Sequence, residues 1–470
     1  MTTAASDIPN RLDRLPWSAW HWRVVMALGV AWVLDGLEVT LIGSIGAVLQ
    51  RDDTLGLSAA QVGWSGSVYI GGAVIGALVF GRLTDRLGRK KLFMITLAVY
   101  MLATLATAFS TGFVFLSICR FITGLGIGGE YAAINSAIDE LIPARVRGRV
   151  SLLINGSFWI GAALGAGLSL VVLDPRVLGP ALGWRACFIL GGGLALAIVL
   201  VRRNVPESPR WLLMHGRADE ADRIVAGIEA QVRREHGELA PAGAATHAYS
   251  QGMPGLRQVA AVLLKHYRMR SVVVLSMMIA QAFVSTAIFF TYALVLTRFY
   301  QVPDNRVALY IFPFALGNVL GPLLLGPLFD SVGRRRMISL TYILSGIGLA
   351  LTGWAFMSGW LTAFTQALCW SVVFFIASAA ASAAYLTASE VFPLQMRALA
   401  ISIFYAIGTG TGGFIAPVLF GWLIESGSPA MVAIGYALGA ALAILAGLLA
   451  NSHAVDAERK PLEDVARLPH

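Results

Sequence analysis

Gly81-Arg82-Leu83-Thr84-Asp85-Arg86-Leu87-Gly88-Arg89-Lys90-Lys91 lies between two long apolar segments. A degraded copy follows 245 residues later, as Gly326-Pro327-Leu328-Phe329-Asp330-Ser331-Val332-Gly333-Arg334-Arg335-Arg336. So dense a charge cluster is excluded from hydrocarbon, and each copy reads as a tight polar loop joining two membrane helices. A second pair agrees in register. Glu140-Leu-Ile-Pro143-Ala-Arg-Val-Arg147-Gly is answered by Glu390-Val-Phe-Pro393-Leu-Gln-Met-Arg397-Ala at an offset of 250. Two unrelated motifs repeating at nearly one spacing indicate an internally duplicated chain, as expected of a transporter with its solute between two halves.

Composition sets the same frame. Of 470 residues 57% are apolar and 13% charged, with mean hydropathy +0.72; a soluble protein carries about a quarter charged residues. The net charge of +9 does not indicate nucleic acid, because the basic residues gather in short loops on one side, as membrane topology requires. Cys119, Cys187 and Cys369 have no metal or redox spacing and read as small core residues.

Twelve apolar spans are predicted, at roughly 23–49, 61–81, 92–110, 113–138, 149–173, 184–201, 271–297, 306–329, 337–357, 361–389, 398–423 and 429–450. An even number places both termini on one side. Short loops on that side carry Arg82, Arg86, Arg89, Lys90, Lys91, Arg145, Arg147, Arg149, Arg334, Arg335, Arg336 and Arg397. The other side has Arg51, Arg176, Arg185, Arg298 and Arg306. The bias puts both termini in the cytoplasm. The expected fold is all-α and integral to the membrane: an arm 1–22, a six-helix bundle 23–201, a cytoplasmic linker 202–270, a pseudo-symmetric six-helix bundle 271–450 and a tail 451–470. The linker contains helix-forming 217–236 and Ala-Gly-rich 239–256; a tether and a regulatory segment are both open readings.

An ionisable residue inside a bilayer is costly, which makes it a functional candidate. Asp35 and Glu38 in span one and Arg120 and Glu130 in span four qualify. Asp35 and Glu38 are three apart, on one helical face, and Arg120 lies at comparable depth. Facing each other, acid and arginine relieve each other's desolvation. A carboxylate beside an arginine keeps its charge; buried without it, the acid takes a proton. All seven histidines (His21, His215, His236, His247, His266, His453 and His470) fall outside the spans, so coupling must use carboxylates. The alternative is a static ion pair between helices. Glu130, nearer the cytoplasmic end, reads as part of a loop network with Asp85 and Arg147. That network is expected to latch the halves, using Arg86, Arg89 and Glu140 and the second-half residues Asp330, Arg334, Glu390 and Arg397. Gly81 and Gly88 permit the tight turn. Gly124-Leu-Gly126-Ile-Gly128-Gly129 matches the dinucleotide pattern, but no strand precedes it, so close helix packing explains it better.

Over nearly its whole length the chain resembles the major facilitator superfamily. Residues 81–91 are similar to its signature loop, and Arg120-Phe-Ile-Thr-Gly124-Leu-Gly126-Ile-Gly128-Gly129-Glu130 resembles its fourth-helix motif. Pro206-Glu-Ser-Pro-Arg210-Trp-Leu212 looks like the sugar-porter and organic-ion branches. Glu38-Val-Thr-Leu-Ile42-Gly43-Ser44 resembles the sugar-porter stretch whose first-helix aspartate pairs with the fourth-helix arginine to couple protons. Asp35-Gly36-Leu37-Glu38 is similar to the Asp-Gly-x-Asp signature of aromatic-acid:proton symporters, with Glu in the last position. The resemblance implies the major facilitator fold, with Glu38 carrying the proton, Asp35 helping and Arg120 tuning it.

Polar or aromatic residues at mid-span are the candidates to line a solute site: Asn155, Trp159, Gln281, Phe289, Tyr292, Asn318, Trp370, Tyr385, Phe404 and Tyr405. Packing is the competing use of each aromatic. Arg120 is the natural partner of a solute carboxylate. Gln281 is followed by Ala282 where sugar porters carry a Gln pair, which depletes a polyol site. The expected function is proton-coupled import of an organic or aromatic carboxylate. A sugar:proton symporter, a proton-antiport exporter of amphipathic compounds and a membrane sensor are the alternatives. Solute, proton and bilayer are the expected partners of a monomer in a bacterial inner membrane, with no nucleic acid and no cofactor. The sequence has no phosphate-binding GxxxxGK[ST] segment and no Ser-His-Asp set, so no enzyme activity is expected.

Overall fold

The computed structural model describes residues 5–202, 206–242, 246–247, 256–392 and 397–455. After a short α1 (Ile8–Asp13), the first half is built from α2 (Ala19–Ile45), α3 (Ala59–Leu87), α4 (Arg89–Thr107), α5 (Phe113–Leu141), α6 (Ala144–Val172) and α7 (Gly179–Arg202). Between the two halves come α8 (Pro209–Met214), α9 (Ala218–His236) and α10 (Leu256–Lys265). The second half comprises α11 (Arg268–Phe289), α12 (Tyr292–Tyr300), α13 (Ile311–Ser331), α14 (Arg334–Met357), α15 (Ala363–Glu390), α16 (Arg397–Gly408), α17 (Phe414–Glu425) and α18 (Pro429–His453). Among the described residues ten helical segments are long and apolar enough to cross a membrane. Helices suit that setting because every backbone group is satisfied within the segment. One two-residue pairing, Ala5–Ser6 (β1) antiparallel to Thr246–His247 (β2), is added to the helical architecture.

The duplication is visible in the backbone. Gly88 precedes α4 at φ 92° and Gly333 precedes α14 at φ 111°, so both loop copies turn through a conformation that only glycine adopts cheaply. Two of the expected spans are interrupted. Span seven breaks between α11 and α12 at Phe290-Thr291, and span eleven carries a π-helical stretch, Thr409–Gly413, between α16 and α17. His21 falls in the first turn of α2, hydrogen-bonded to Ser18, rather than outside the helix.

Small residues set the packing within the first half. A Cβ on Gly36 would strike the Phe158 carbonyl of α6, and one on Gly161 would strike Val33 of α2. Between α3 and α5, which run parallel, Gly72 and Gly76 back onto Phe121 and Leu125, while Gly124 and Gly128 back onto Tyr69 and Ala73. The glycine-rich run of α5 therefore serves close backbone approach. Of α2's apolar window 78% is buried, against 39% for α4, so α2 threads through protein rather than lipid.

The halves meet at the end opposite the termini. Ser44 and Tyr292 share a hydrogen bond of 2.8 Å, Ala60 N–H donates to Glu425 at 3.0 Å, and the Ser67 hydroxyl donates to the Phe414 carbonyl at 2.6 Å. Arg51 lies 3.5 Å from Asp304. At the terminus-bearing end, α1 docks on α9: Arg11 donates to both oxygens of Glu229 (3.1 and 2.8 Å) and to Asp222, and Arg14 reaches Glu229 at 2.5 Å. Glu207, before α8, accepts from the Lys90 N–H of the first loop copy.

Candidate functional site

The parallel register of α3 on α5 brings Tyr69 beside Arg120, because Gly124, one turn beyond Arg120, presses on the Tyr69 carbonyl. Arg120 Nη1 donates to Glu38 Oε1, and both side chains have no solvent-exposed surface. The Arg120 guanidinium also lies 4.5 Å from the centre of the Tyr69 ring, and the Tyr69 hydroxyl donates to Asp35 Oδ1 at 3.0 Å. Asp35 is 6% exposed. Four side chains on α2, α3 and α5 thus form one buried cluster, with two acids and one arginine. By helix rise, Asp35 stands about 24 Å from the start of α2 and about 15 Å from its end, well inside a core about 30 Å thick.

The remaining candidates divide. Trp159 packs edge-on to Phe289 across the halves, with ring centres 5.7 Å apart. Tyr385 reaches the Gln281 side chain, its ring is 6.4 Å from that of Tyr405, and Tyr405 is within electrostatic reach of Asp35. Trp159, Phe289 and Tyr405 thus meet the opposite half at the seam, with Tyr385 and Gln281 beside Tyr405 in the second half. Tyr292 is fully buried on Ser44 and belongs to the closed end. Trp370 is sealed against Phe314, Phe404 stacks on Phe392, and Asn318 donates to its own helix at the Phe314 carbonyl. Those three serve packing in this state. Glu130 is buried on α5, below the glycine run. Arg334 is half-buried at the start of α14. The side chains of Asn155, Asp85, Arg86, Arg89, Glu140, Arg147, Asp330, Glu390 and Arg397, and residue Gly81, lie outside the described residues. A cavity of about 450 Å³ opens elsewhere, between α3, α5 and α17, lined by Gln61, Trp64, Val68, Phe113, Ser117 and Trp422. It contains no residue of the acid cluster.

The sequence profile of the "Sugar (and other) transporter" family matches residues 18–463. The chain belongs to this family. It is a multi-pass membrane protein of the major facilitator superfamily and a transporter, not an enzyme. The 4-hydroxybenzoate transporter PcaK of Pseudomonas aeruginosa is 29% identical over 462 residues, 95% of this chain and 97% of that protein. The niacin transporter NiaP of Acinetobacter baylyi is 37% identical over 223 residues. That match covers 47% of this chain and spans about half (49%) of NiaP's length. Among solved structures, a D-xylose-proton symporter superposes with a TM-score of 0.72 at 19% identity, covering 93% of this chain and 99% of the other. The fold of this transporter is therefore the major facilitator fold.

Two parts of the site escaped the sequence reading. Tyr69 is a lone tyrosine among the apolar residues of α3, and only the matched Gly-x-x-x-Gly spacings, Gly72/Gly76 and Gly124/Gly128, could have placed it against Arg120. The hydroxyls of Ser44 and Ser67 carry no signal of their closing role.

Proposed function

We propose that the protein is a proton-coupled importer of a small organic carboxylate, working by alternating access of its halves around Glu38 and Arg120. The supporting observation is the wholly buried Glu38–Arg120 pair with a second acid one turn away. As a static brace such a pair is a poor choice, since apolar residues of similar volume hold helices as well or better. As a pair that separates, it provides a proton site: Glu38 is ionised while Arg120 holds it and takes a proton when Arg120 leaves. Arg120 uses Nη1 on Glu38, and its Nε and Nη2 have no hydrogen-bond partner among the described residues. That spare fork suits a carboxylate. Arg120 is sealed in this state, so a solute gains it only as Glu38 is protonated and the cluster rearranges. Proton and solute then bind together, which is symport.

Niacin and 4-hydroxybenzoate, the solutes named for two relatives, are both carboxylates on an aromatic ring. Trp159 and Phe289 offer stacking, and Gln281, Tyr385 and Tyr405 offer hydrogen bonds, for such a ring. The Lys/Arg bias supports cytoplasmic termini in a bacterial inner membrane, and on that reading the closed end is the outer one. The test is uptake of labelled 4-hydroxybenzoate and niacin into proteoliposomes with and without a pH gradient. Glu38→Gln is expected to abolish uphill accumulation and leave counterflow exchange. Equal loss of both assigns Glu38 to binding or folding instead, and transport of xylose alone would return the assignment to a sugar porter.

A further inference from the structure

Arg120 makes its ion pair with Glu38, although Asp35 lies one turn away on the same face of α2. Two carboxylates so close to one guanidinium ordinarily share it and titrate as a coupled pair. Tyr69 touches both the second acid and the arginine. Its hydroxyl donates to Asp35 Oδ1 at 3.0 Å, and its ring face carries Arg120 at 4.5 Å. The side chain is 3% exposed, and α5 fixes its backbone through Gly124. The same ring meets Phe290 of the second half, with centres 6.1 Å apart, so parting of the halves at this end removes one wall of the seat.

We infer that Tyr69 is the positioning residue that divides the labour between the two acids: its ring seats Arg120 against Glu38, and its hydroxyl satisfies Asp35 independently of Arg120. The inference rests on Glu38 and Arg120 being the coupling pair. A cation over an aromatic face gains most where water is excluded, and a hydroxyl donated to a carboxylate favours its charged form. With Tyr69 in place, only Glu38 depends on Arg120 for its charge. Without the hydroxyl, Asp35 competes for the guanidinium and the coupling is shared. Other ionisable groups around the cluster are Tyr100 on α4, Cys119 and Glu130 on α5, Cys187 on α7 and Tyr405 on α16. Tyr292 on α12 is engaged by Ser44, and α6 carries its ionisable residues, Arg145, Arg147 and Arg149, in its first two turns, with none from Val150 to Val172. None of these groups bridges Asp35 to Arg120 as Tyr69 does.

Two readouts test this in the purified full chain. The first is an infrared titration of the Asp35 carboxyl in a Glu38→Gln background, the band being assigned by its loss in Asp35→Asn. Tyr69→Phe keeps the ring and removes the donor, and is expected to move the Asp35 midpoint by about one pH unit. The second is uptake. Tyr69→Phe shifts the pH profile of uphill accumulation while counterflow stays within about twofold, and Tyr69→Leu, which also loses the seat, cuts accumulation about tenfold with exchange surviving. An unchanged Asp35 midpoint together with an unchanged pH profile in Tyr69→Phe overturns the inference. Counterflow falling in step with accumulation in both variants also overturns it, since that marks a structural role. Should Tyr69→Leu fail to fold, Tyr69→Phe decides alone. Uphill accumulation surviving Glu38→Gln removes the coupling reading instead, and the infrared shift separates that outcome from a failure of the Tyr69 assignment.

Discussion

Gly63 sits where α3 crosses α17, at the end where the halves are closed. A methyl group there would stand 3.1 Å from the Pro417 carbonyl carbon and 3.2 Å from the Gly421 Cα, and nearer still to the Pro417 oxygen. All three are backbone atoms of the other half, so the new group cannot be accommodated by a rotamer change. Overpacking of this kind costs about 1–3 kcal/mol. The cost falls only on the state in which α3 and α17 touch. Because 1.4 kcal/mol is a factor of ten, Gly63→Ala should shift the equilibrium away from the closed arrangement by about 5- to 150-fold. Two states within a few kcal/mol of each other would then exchange dominance. Spin labels at Asp52→Cys and Ala430→Cys, exposed positions on opposite halves, report the separation once Cys119, Cys187 and Cys369 are replaced. The parent should give a short distance and Gly63→Ala a longer one. Gly167→Ala, with nothing within 4 Å of the added group, should match the parent. A Gly63→Ala distribution identical to the parent's would refute the claim that this crossing holds the closed state.

Ser67→Ala removes the hydroxyl that bridges to the Phe414 carbonyl at the end of the π-helical stretch; the loss of about 1 kcal/mol should lengthen the same label distance in about a fivefold larger fraction of molecules. Gly128→Ala drives a methyl group to within 2.6–2.7 Å of Ala73 backbone carbons and should lower the thermal unfolding midpoint by about 2 kcal/mol's worth, whereas Gly156→Ala, in open space, leaves it unmoved. Arg11→Ala should release α1 from α9, seen as roughly fivefold faster amide exchange over residues 8–15, since a partly solvated pair of this kind contributes about 1 kcal/mol. The same clamp has a defined acid limb. Burial pushes the Glu229 carboxyl up, but hydrogen bonds and charge from Arg11 and Arg14 outweigh it and hold the group below its ordinary range. A folded value depressed in this way gives stability that is complete at neutral pH and lost as pH falls through that value. Exchange over residues 8–15 should therefore quicken only below the usual carboxylate range, and constant protection there would remove Glu229 from the clamp.

What the sequence made legible follows from what the bilayer demands. A span must be apolar for its whole length, so hydropathy marks it. A loop must be charged on one side, so the repeat at 81 and 326 marks the duplication, and the φ of Gly88 and Gly333 shows that the copies share a backbone turn and not merely a composition. Intramembrane charge is rare enough that Asp35, Glu38 and Arg120 stood out before any contact was known. What stayed hidden depends on register between helices rather than on the content of one. Tyr69 looks like any apolar-span aromatic until Gly72 and Gly124 let α3 and α5 close to backbone contact. Tyr292, Trp370 and Phe404 have the composition of cavity residues, yet here they are core or closure. Their assignment turns on which end of the seam is shut, and a sequence encodes both states of an alternating carrier at once. Tyr69 shows why that matters: it lies on the first half, touches Phe290 of the second, and supports the arginine beside the acids. On the proposed mechanism, a residue in that position links closure of the halves to the charge state of the cluster, which is the connection a coupled transporter requires.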